Sequence, residues 1–288
     1  MDVIKRAILF GAKAIVTVLD TKYLVQTAID THRLSDASAR AMGRALTMTA
    51  FMSGNFKAQG NRLTVLIQGD GPIGKMVLCG DYGAYVRGYC EHPDAAQDAP
   101  DTDVRHTVGE RGALNIIKDF GLKKPYNGMS QLVNGNIDSD FAYYFTVSEQ
   151  LPSAVVLDCV VRDGRCVAAG GVIAQAMPNC EEELLVVLQD IMRNFSDLGQ
   201  MLQQCTPQQI LDDHFGHFEI KVLDDIAPRW RCSCSRERIG GMLLTLGRQE
   251  AEQILQEQGR IEVGCDFCNR KYGFDREQIR ELFDGTHN

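Results

Sequence analysis

The 288-residue chain lacks an excess of positive charge: it carries 30 Lys and Arg against 38 Asp and Glu, for a formal charge of −8. A general binder of nucleic acid or anionic membrane needs a basic footprint, so the balance argues against both. No apolar run approaches the roughly 18 residues of a membrane helix. A secretory leader is not expected either. Lys5 and Arg6 precede the apolar stretch Ala7 to Leu19, but Lys13 interrupts it. Asp20-Thr21-Lys22 then stands where a small-residue cleavage site would be required, so buried strands and a cytoplasmic location are expected. Internal repeats, low-complexity tracts, paired carboxylates and a Ser-His-Asp constellation are also missing.

What is present is cysteine, ten in all and unevenly spread. In a reducing compartment clustered cysteines read as metal-binding or redox-active rather than as disulfides. Six are scattered: Cys79, Cys90, Cys159, Cys166, Cys180 and Cys205. Cys159 and Cys166 flank a hairpin signal and read as small apolar fillers.

The length suggests one large domain with something smaller. The expected class is α+β, in three parts: a mixed core over 1–178, a helical linker over 179–230 and a small zinc-binding domain over 231–288. In the core, Ala14–Leu19, Leu63–Gln68, Lys75–Cys79, Ala84–Tyr89, Ser153–Val161 and Cys166–Ala176 read as strands. Asp163-Gly164 marks a tight hairpin between the last two. Ser35 reads as the N-cap of a long helix over Asp36–Phe56, and 138–150 is helical by period. The linker holds ten acidic and three basic residues. Glu181–Gln204 reads as one helix with a broad apolar face, and Pro207 opens another. In the last block helices are expected over Arg236–Leu246, Glu250–Gln258 and from Asp275, with strands at Ile261–Val263 and Lys271–Phe274. Fifty-eight residues make a marginal core that needs a staple.

The remaining four cysteines supply the staple. Cys232-Ser233-Cys234 and Cys265-Asp266-Phe267-Cys268 form a CxC and a CxxC, 30 residues apart. Four thiolates suit one tetrahedral zinc and leave no position for a reactive water, so hydrolytic zinc chemistry is not expected. Such a site can be purely structural. Three features favour a switch instead: thiolates are the oxidisable form of cysteine, Arg231, Arg236, Arg238, Arg270 and Lys271 lie close to them in sequence, and each pair is near enough to close on itself, although a CxC ring is strained.

These residues also carry a resemblance. The CxC and CxxC, with Tyr272 and Phe274-Asp275 after them, resemble the C-terminal zinc switch of the redox-regulated 33-kilodalton heat-shock chaperone family. Gly69–Gly74, Val86–Tyr89, Gly109–Gly112, Gly135–Ile137 and Ser148–Ser153 resemble that family's core motifs, in the same order along the chain. The resemblance implies an ATP-independent holdase of the oxidative stress response, not an enzyme. It implies one Zn²⁺ per chain on Cys232, Cys234, Cys265 and Cys268 in an inactive reduced state. Oxidation then gives the disulfides Cys232–Cys234 and Cys265–Cys268, zinc release, linker unfolding, homodimerisation and binding of unfolding client proteins.

Two other patterns read as bland. Gly69-x-Gly71-x-x-Gly74 matches a dinucleotide fingerprint but is followed by a strand, so a hairpin turn is expected. His214 and His217, with Asp212, Asp213 and Glu219, read as a solvated acidic turn rather than a metal site. Two rival functions remain in view: a thiol-disulfide oxidoreductase using Cys265 and Cys268, and a zinc module that grips nucleic acid through its arginines.

Overall fold

A computed structural model describes residues 1–96, 103–178 and 180–284. Asn179, the first residue of the expected linker, and the last four residues of the expected zinc domain lie outside the described residues. The class is α+β, and the chain divides into two compact units, 1–231 and 232–288.

The first unit opens with β1 (Val3–Leu9) and β2 (Ala14–Asp20), joined through a tight turn in which Gly11 takes φ +61°. Helices α1 (Lys22–His32) and α2 (Asp36–Gly54) follow. Ser35 caps α2 as expected, its Oγ accepting from Ser38 N at 3.1 Å. Alanine, glycine and methionine dominate α2, and nearly all of it is buried, because it lies between two sheets and is touched from both.

Strands β3 (Arg62–Gly69), β4 (Lys75–Asp81) and β5 (Tyr85–Cys90) form a meander. The Gly69–Gly74 segment is the β3–β4 turn, with the short helix α3 (Arg105–Val108) laid across it. Gly71 N donates to Val108 O, and a Cβ on Gly69 would sit 2.0 Å from that same oxygen. Close backbone approach, not phosphate binding, explains these glycines.

Strands β6 (Gly112–Asp119) and β7 (Tyr126–Gln131), helix α4 (Ile137–Ser148), and the long hairpin β8 (Ser153–Arg162) and β9 (Arg165–Ala176) complete the core. Asp163 and Gly164, both at positive φ, make the β8–β9 turn.

The acidic stretch is helical but not one helix. It breaks into α5 (Glu182–Met192), a 3₁₀ turn over Arg193–Phe195, and α6 (Leu198–Gln204); α7 (Pro207–Phe215) follows. The cause of the break is contact with β8. Gly199 N donates to Asp158 Oδ2 at 2.9 Å, and a Cβ there would lie 2.4 Å from that oxygen. Asn194, Ser196 and Asp197 are weak helix formers and let the path bend.

Two short strands from this stretch join the sheets. Strand β10 (Ile220–Val222) pairs with β1, giving the antiparallel order β10-β1-β2-β9-β8. Strand β11 (Arg229–Trp230) pairs parallel with β5, giving β11-β5-β4-β3-β6-β7. The main core lies around α2. A second apolar layer lies between the five-stranded sheet and α5–α7, where Val16, Val18 and Val172 meet Leu188, Phe195, Leu211 and Phe215.

The second unit holds α8 (Arg236–Leu246), α9 (Arg248–Gln258), the hairpin β12 (Ile261–Gly264) and β13 (Lys271–Phe274), and α10 (Arg276–Asp284). Its core is small: Ile239, Leu243, Ala251, Leu255, Ile261, Tyr272, Phe274 and Ile279 surround Cys265. No helix among the described residues is long and apolar enough to cross a membrane.

Candidate metal centre

Each cysteine pair is held by local backbone chemistry. The CxxC forms the turn of the β12–β13 hairpin. Cys268 N and Asn269 N both donate to Cys265 O, Cys265 N donates to Arg270 O, and Asn269 takes the left-handed φ of +54° that closes the turn. This knuckle aims Cys265 and Cys268 to one side. The CxC lies in the extended segment leading into α8. Ser235 caps that helix, its Oγ accepting from Arg238 N, and the Arg238 guanidinium donates to Ser233 O and Oγ. The segment is thereby pinned so that Cys232 and Cys234 face the knuckle.

The four sulfurs converge. All lie within 4.8 Å of one another, and no other group of His, Cys, Asp or Glu among the described residues is so placed. Cys232 Sγ stands 3.7 Å from Cys265 Sγ, and Cys234 Sγ 3.4 Å from Cys268 Sγ. These are not disulfide distances, which are about 2.05 Å. A tetrahedron with metal–sulfur bonds of about 2.3 Å has edges of about 3.8 Å, so the set fits one zinc ion.

The electrostatics also call for a cation. Burial pushes the thiols of Cys232 and Cys268 up. At Cys234 burial acts the same way, but the Tyr272 hydroxyl, donating to its Sγ at 3.1 Å, and the neighbouring thiols outweigh it and bring the group down to about 7. Four thiolates this close repel one another unless a divalent ion compensates them. Cys265 is buried and the other three are half-buried.

The basic residues that sequence places near the sulfurs mostly point elsewhere. Arg231 stacks on the Tyr85 ring at 3.6 Å within the first unit. Arg236 donates to Gly273 O and Gln278 Oε1 and lies over Phe274; Lys271 pairs with Glu262. Arg270 is the cation whose charge bears on Tyr272, Cys234 and Cys268. Tyr272, noted in the sequence only as part of the resemblance, is the extra site residue: its place one strand step from the knuckle brings its hydroxyl to the sulfur.

The other candidates are not assembled into sites. His214 packs on Phe195 and His217 on Phe218. Cys159 and Cys166 are buried, and contact with Cys166 together with burial holds the Cys159 thiol well above its usual range, as suits an inert filler. Cys79 and Cys90 are also pushed up by burial, Cys90 to about 12.

Comparison with known proteins agrees over the full length. A family model described as Hsp33 protein matches residues 2–275. The 33 kDa chaperonin of Clostridioides difficile is 36% identical over 285 residues, 98% of either chain. That of Thermoanaerobacter pseudethanolicus is 34% identical over 286 residues, 98% of this chain and 97% of the other. A crystal structure of the 33 kDa chaperonin from Thermotoga maritima superposes with a TM-score of 0.89 at 30% identity, covering 99% of this chain and 98% of that one. With the four-cysteine cluster carried on a chain alike from end to end, this protein belongs to the Hsp33 family of chaperones.

Proposed function

We propose that this chain is an ATP-independent, redox-regulated holdase of the oxidative stress response, acting in the cytoplasm and without catalytic turnover. Cys232, Cys234, Cys265 and Cys268 hold one Zn²⁺ in the reduced, inactive state. Held by these four thiolates, the ion would cross-link a unit whose own packing is thin. An oxidant such as peroxide converts Cys232–Cys234 and Cys265–Cys268 to disulfides. Each disulfide releases two electrons, which with two protons turn one peroxide into two waters, and the ligand set is thereby withdrawn.

The observation that carries this reading is the size of the second unit's core beside its four converging sulfurs. Structural zinc contributes roughly 10–16 kcal/mol in apparent terms, while whole domains are stable by only about 5–15 kcal/mol. Residues 232–288 therefore unfold when the thiolates are oxidised. On this reading residues 180–230 are a linker that follows, although they pack within the first compact unit. Their release would strip α5–α7 from the five-stranded sheet and bare Val16, Val18 and Val172 together with the apolar faces of the helices. Exposed apolar surface of that kind binds unfolding polypeptides and favours self-association, in keeping with an active homodimer.

The test follows metal release, helical content and suppression of client aggregation together during peroxide treatment at raised temperature. All three are expected to change in step. Equal suppression by the reduced, zinc-loaded protein would overturn the switch. Turnover of a disulfide substrate by the reduced protein would favour an oxidoreductase, and salt-sensitive RNA binding a nucleic-acid module.

A further inference from the structure

Strand β7 is the outermost strand of the six-stranded sheet. Leu132 N donates to Gly112 O of β6, so by the two-residue alternation of an antiparallel pair Gly128 and Ser130 bond inward. The backbone groups of Asn127, Met129 and Gln131 then point away from the sheet. Helix α4 runs beside this edge: Asp140 Oδ1 accepts from Val133 N, Tyr144 lies beneath Gly128, and Ser148 Oγ donates to Met129 O at a long 3.3 Å. Helical spacing puts Tyr143 and Val147 next to that row, on the outward side. The strand edge thus runs beside the helix. Tyr143 (46% exposed) and Val147 (46%) stand on the helix side, with Val133 (53%) just past the strand's end, while Met129 (62%), alternating with the inward-facing Gly128 and Ser130, stands on the opposite face of the sheet.

Proteins guard strand edges with charge, proline or shortness. The other end of this sheet is the two-residue β11, which carries Arg229, and β10 of the five-stranded sheet has three residues with Lys221 at its centre. The six residues of β7, Tyr-Asn-Gly-Met-Ser-Gln, hold neither charge nor proline.

We propose that the β7 edge captures an extended, apolar segment of an unfolding client chain by strand addition, with Tyr143 and Val147 of α4 seating its side chains. Backbone pairing reads no sequence, which suits a chaperone with many clients. A second copy is the poorer occupant: a six-residue edge and two helix side chains fall well short of the roughly 800 Å² per partner of a standard stable interface. The inference rests on the chaperone reading and adds a contact outside the linker.

The test uses the full-length oxidised protein and fluorescently labelled, reduced and carboxymethylated α-lactalbumin, a permanently unfolded chain. Met129→Pro removes an outward N–H at an edge position that tolerates proline, and Met129→Lys adds a guarding charge. Each should weaken binding about tenfold, the scale of one or two net hydrogen bonds, while Tyr23→Lys on α1 leaves it unchanged. In the parent, binding should slow hydrogen exchange at Asn127, Met129 and Gln131. If both variants keep the parent's melting temperature and affinity and these amides gain no protection, the edge proposal fails while the chaperone reading stands. Should the parent bind no probe in either redox state, both fall. Protection that appears without probe and grows with protein concentration would assign the edge to a second copy and overturn the client proposal.

Discussion

The units 1–231 and 232–288 are held together by different means. In the first, α2 is packed from both sides by sheets, and large side chains such as Phe141, Tyr144, Phe195 and Phe215 are fully buried. In the second, a handful of apolar residues packs around a sulfur cluster, and two of its helices leave large apolar or basic side chains in water, among them Met242 and Arg280. The difference teaches where a chemical switch can sit. A unit whose packing suffices without a ligand does not respond to losing one. A unit near the threshold, with a metal supplying the balance, responds in full.

The comparison breaks most directly at the metal. Replacing Cys232 and Cys234 by Ser removes half of the proposed ligand set and, on that proposal, should cost the second unit most of the roughly 10–16 kcal/mol attributed to structural zinc. Limited proteolysis should then cut within 236–284 while 1–178 stays intact. A variant still resistant to protease and still zinc-loaded would show that packing, not metal, holds this unit. Peptide mapping of the oxidised parent sharpens the same point. The proposed pairs are Cys232–Cys234 and Cys265–Cys268, yet two close sulfur separations run across the pairs, 3.7 Å for Cys232–Cys265 and 3.4 Å for Cys234–Cys268. Recovery of the crossed disulfides alone would reject the proposed pairing.

The next effect in size lies in the first unit. Phe195 is fully buried between α5–α6 and the five-stranded sheet. Phe195→Ala should cost about 3–5 kcal/mol. It should loosen 180–230 and raise aggregation suppression by the reduced protein, with zinc retained. Chaperone activity unchanged in both redox states would separate this layer from the switch.

Much of this was readable from residue order. The CxC and CxxC announced the sulfur cluster, because spacing within each pair is a local property. Ser35, Asp163-Gly164 and Pro207 marked a cap, a hairpin and a helix start for the same reason. What was not legible depends on distant partners. Strands β10 and β11 are too short to show a period, and only pairing with β1 and β5 makes them strands. The break in the acidic helix is dictated by Asp158, which meets Gly199 across the fold. The directions of the arginines around the sulfurs are likewise set by Tyr85, Gly273 and Ser233 rather than by chain proximity.

A smaller effect is set by pH. Asp2 is buried beneath the start of α1, where burial raises its carboxyl to about 6 against accepted bonds from Tyr23 N and Leu24 N. Because the folded value lies above the unfolded one, this group's contribution is fully present below about pH 4 and is lost as pH rises through about 6. The parent's melting temperature should therefore fall relative to that of Asp2→Asn across that window, and metal affinity should not follow. A constant difference between the two proteins would show that Asp2 titrates normally.

The smallest expected effect probes whether the linker helices have stability of their own. Thr206 and Gln209 form a capping box on α7: Gln209 N donates to Thr206 Oγ1 at 3.3 Å and Thr206 N donates to Gln209 Oε1 at 2.8 Å. Thr206→Ala should cost about 1 kcal/mol, the usual value of such a cap. Because α7 packs on β1 and β2 of the first unit, faster hydrogen exchange should be confined to 207–215. The oxidant concentration needed for half-activation should fall slightly. Faster exchange in 236–284 instead would mean that the two units share one cooperative transition, and the contrast between a self-sufficient core and a metal-dependent unit would have to be abandoned.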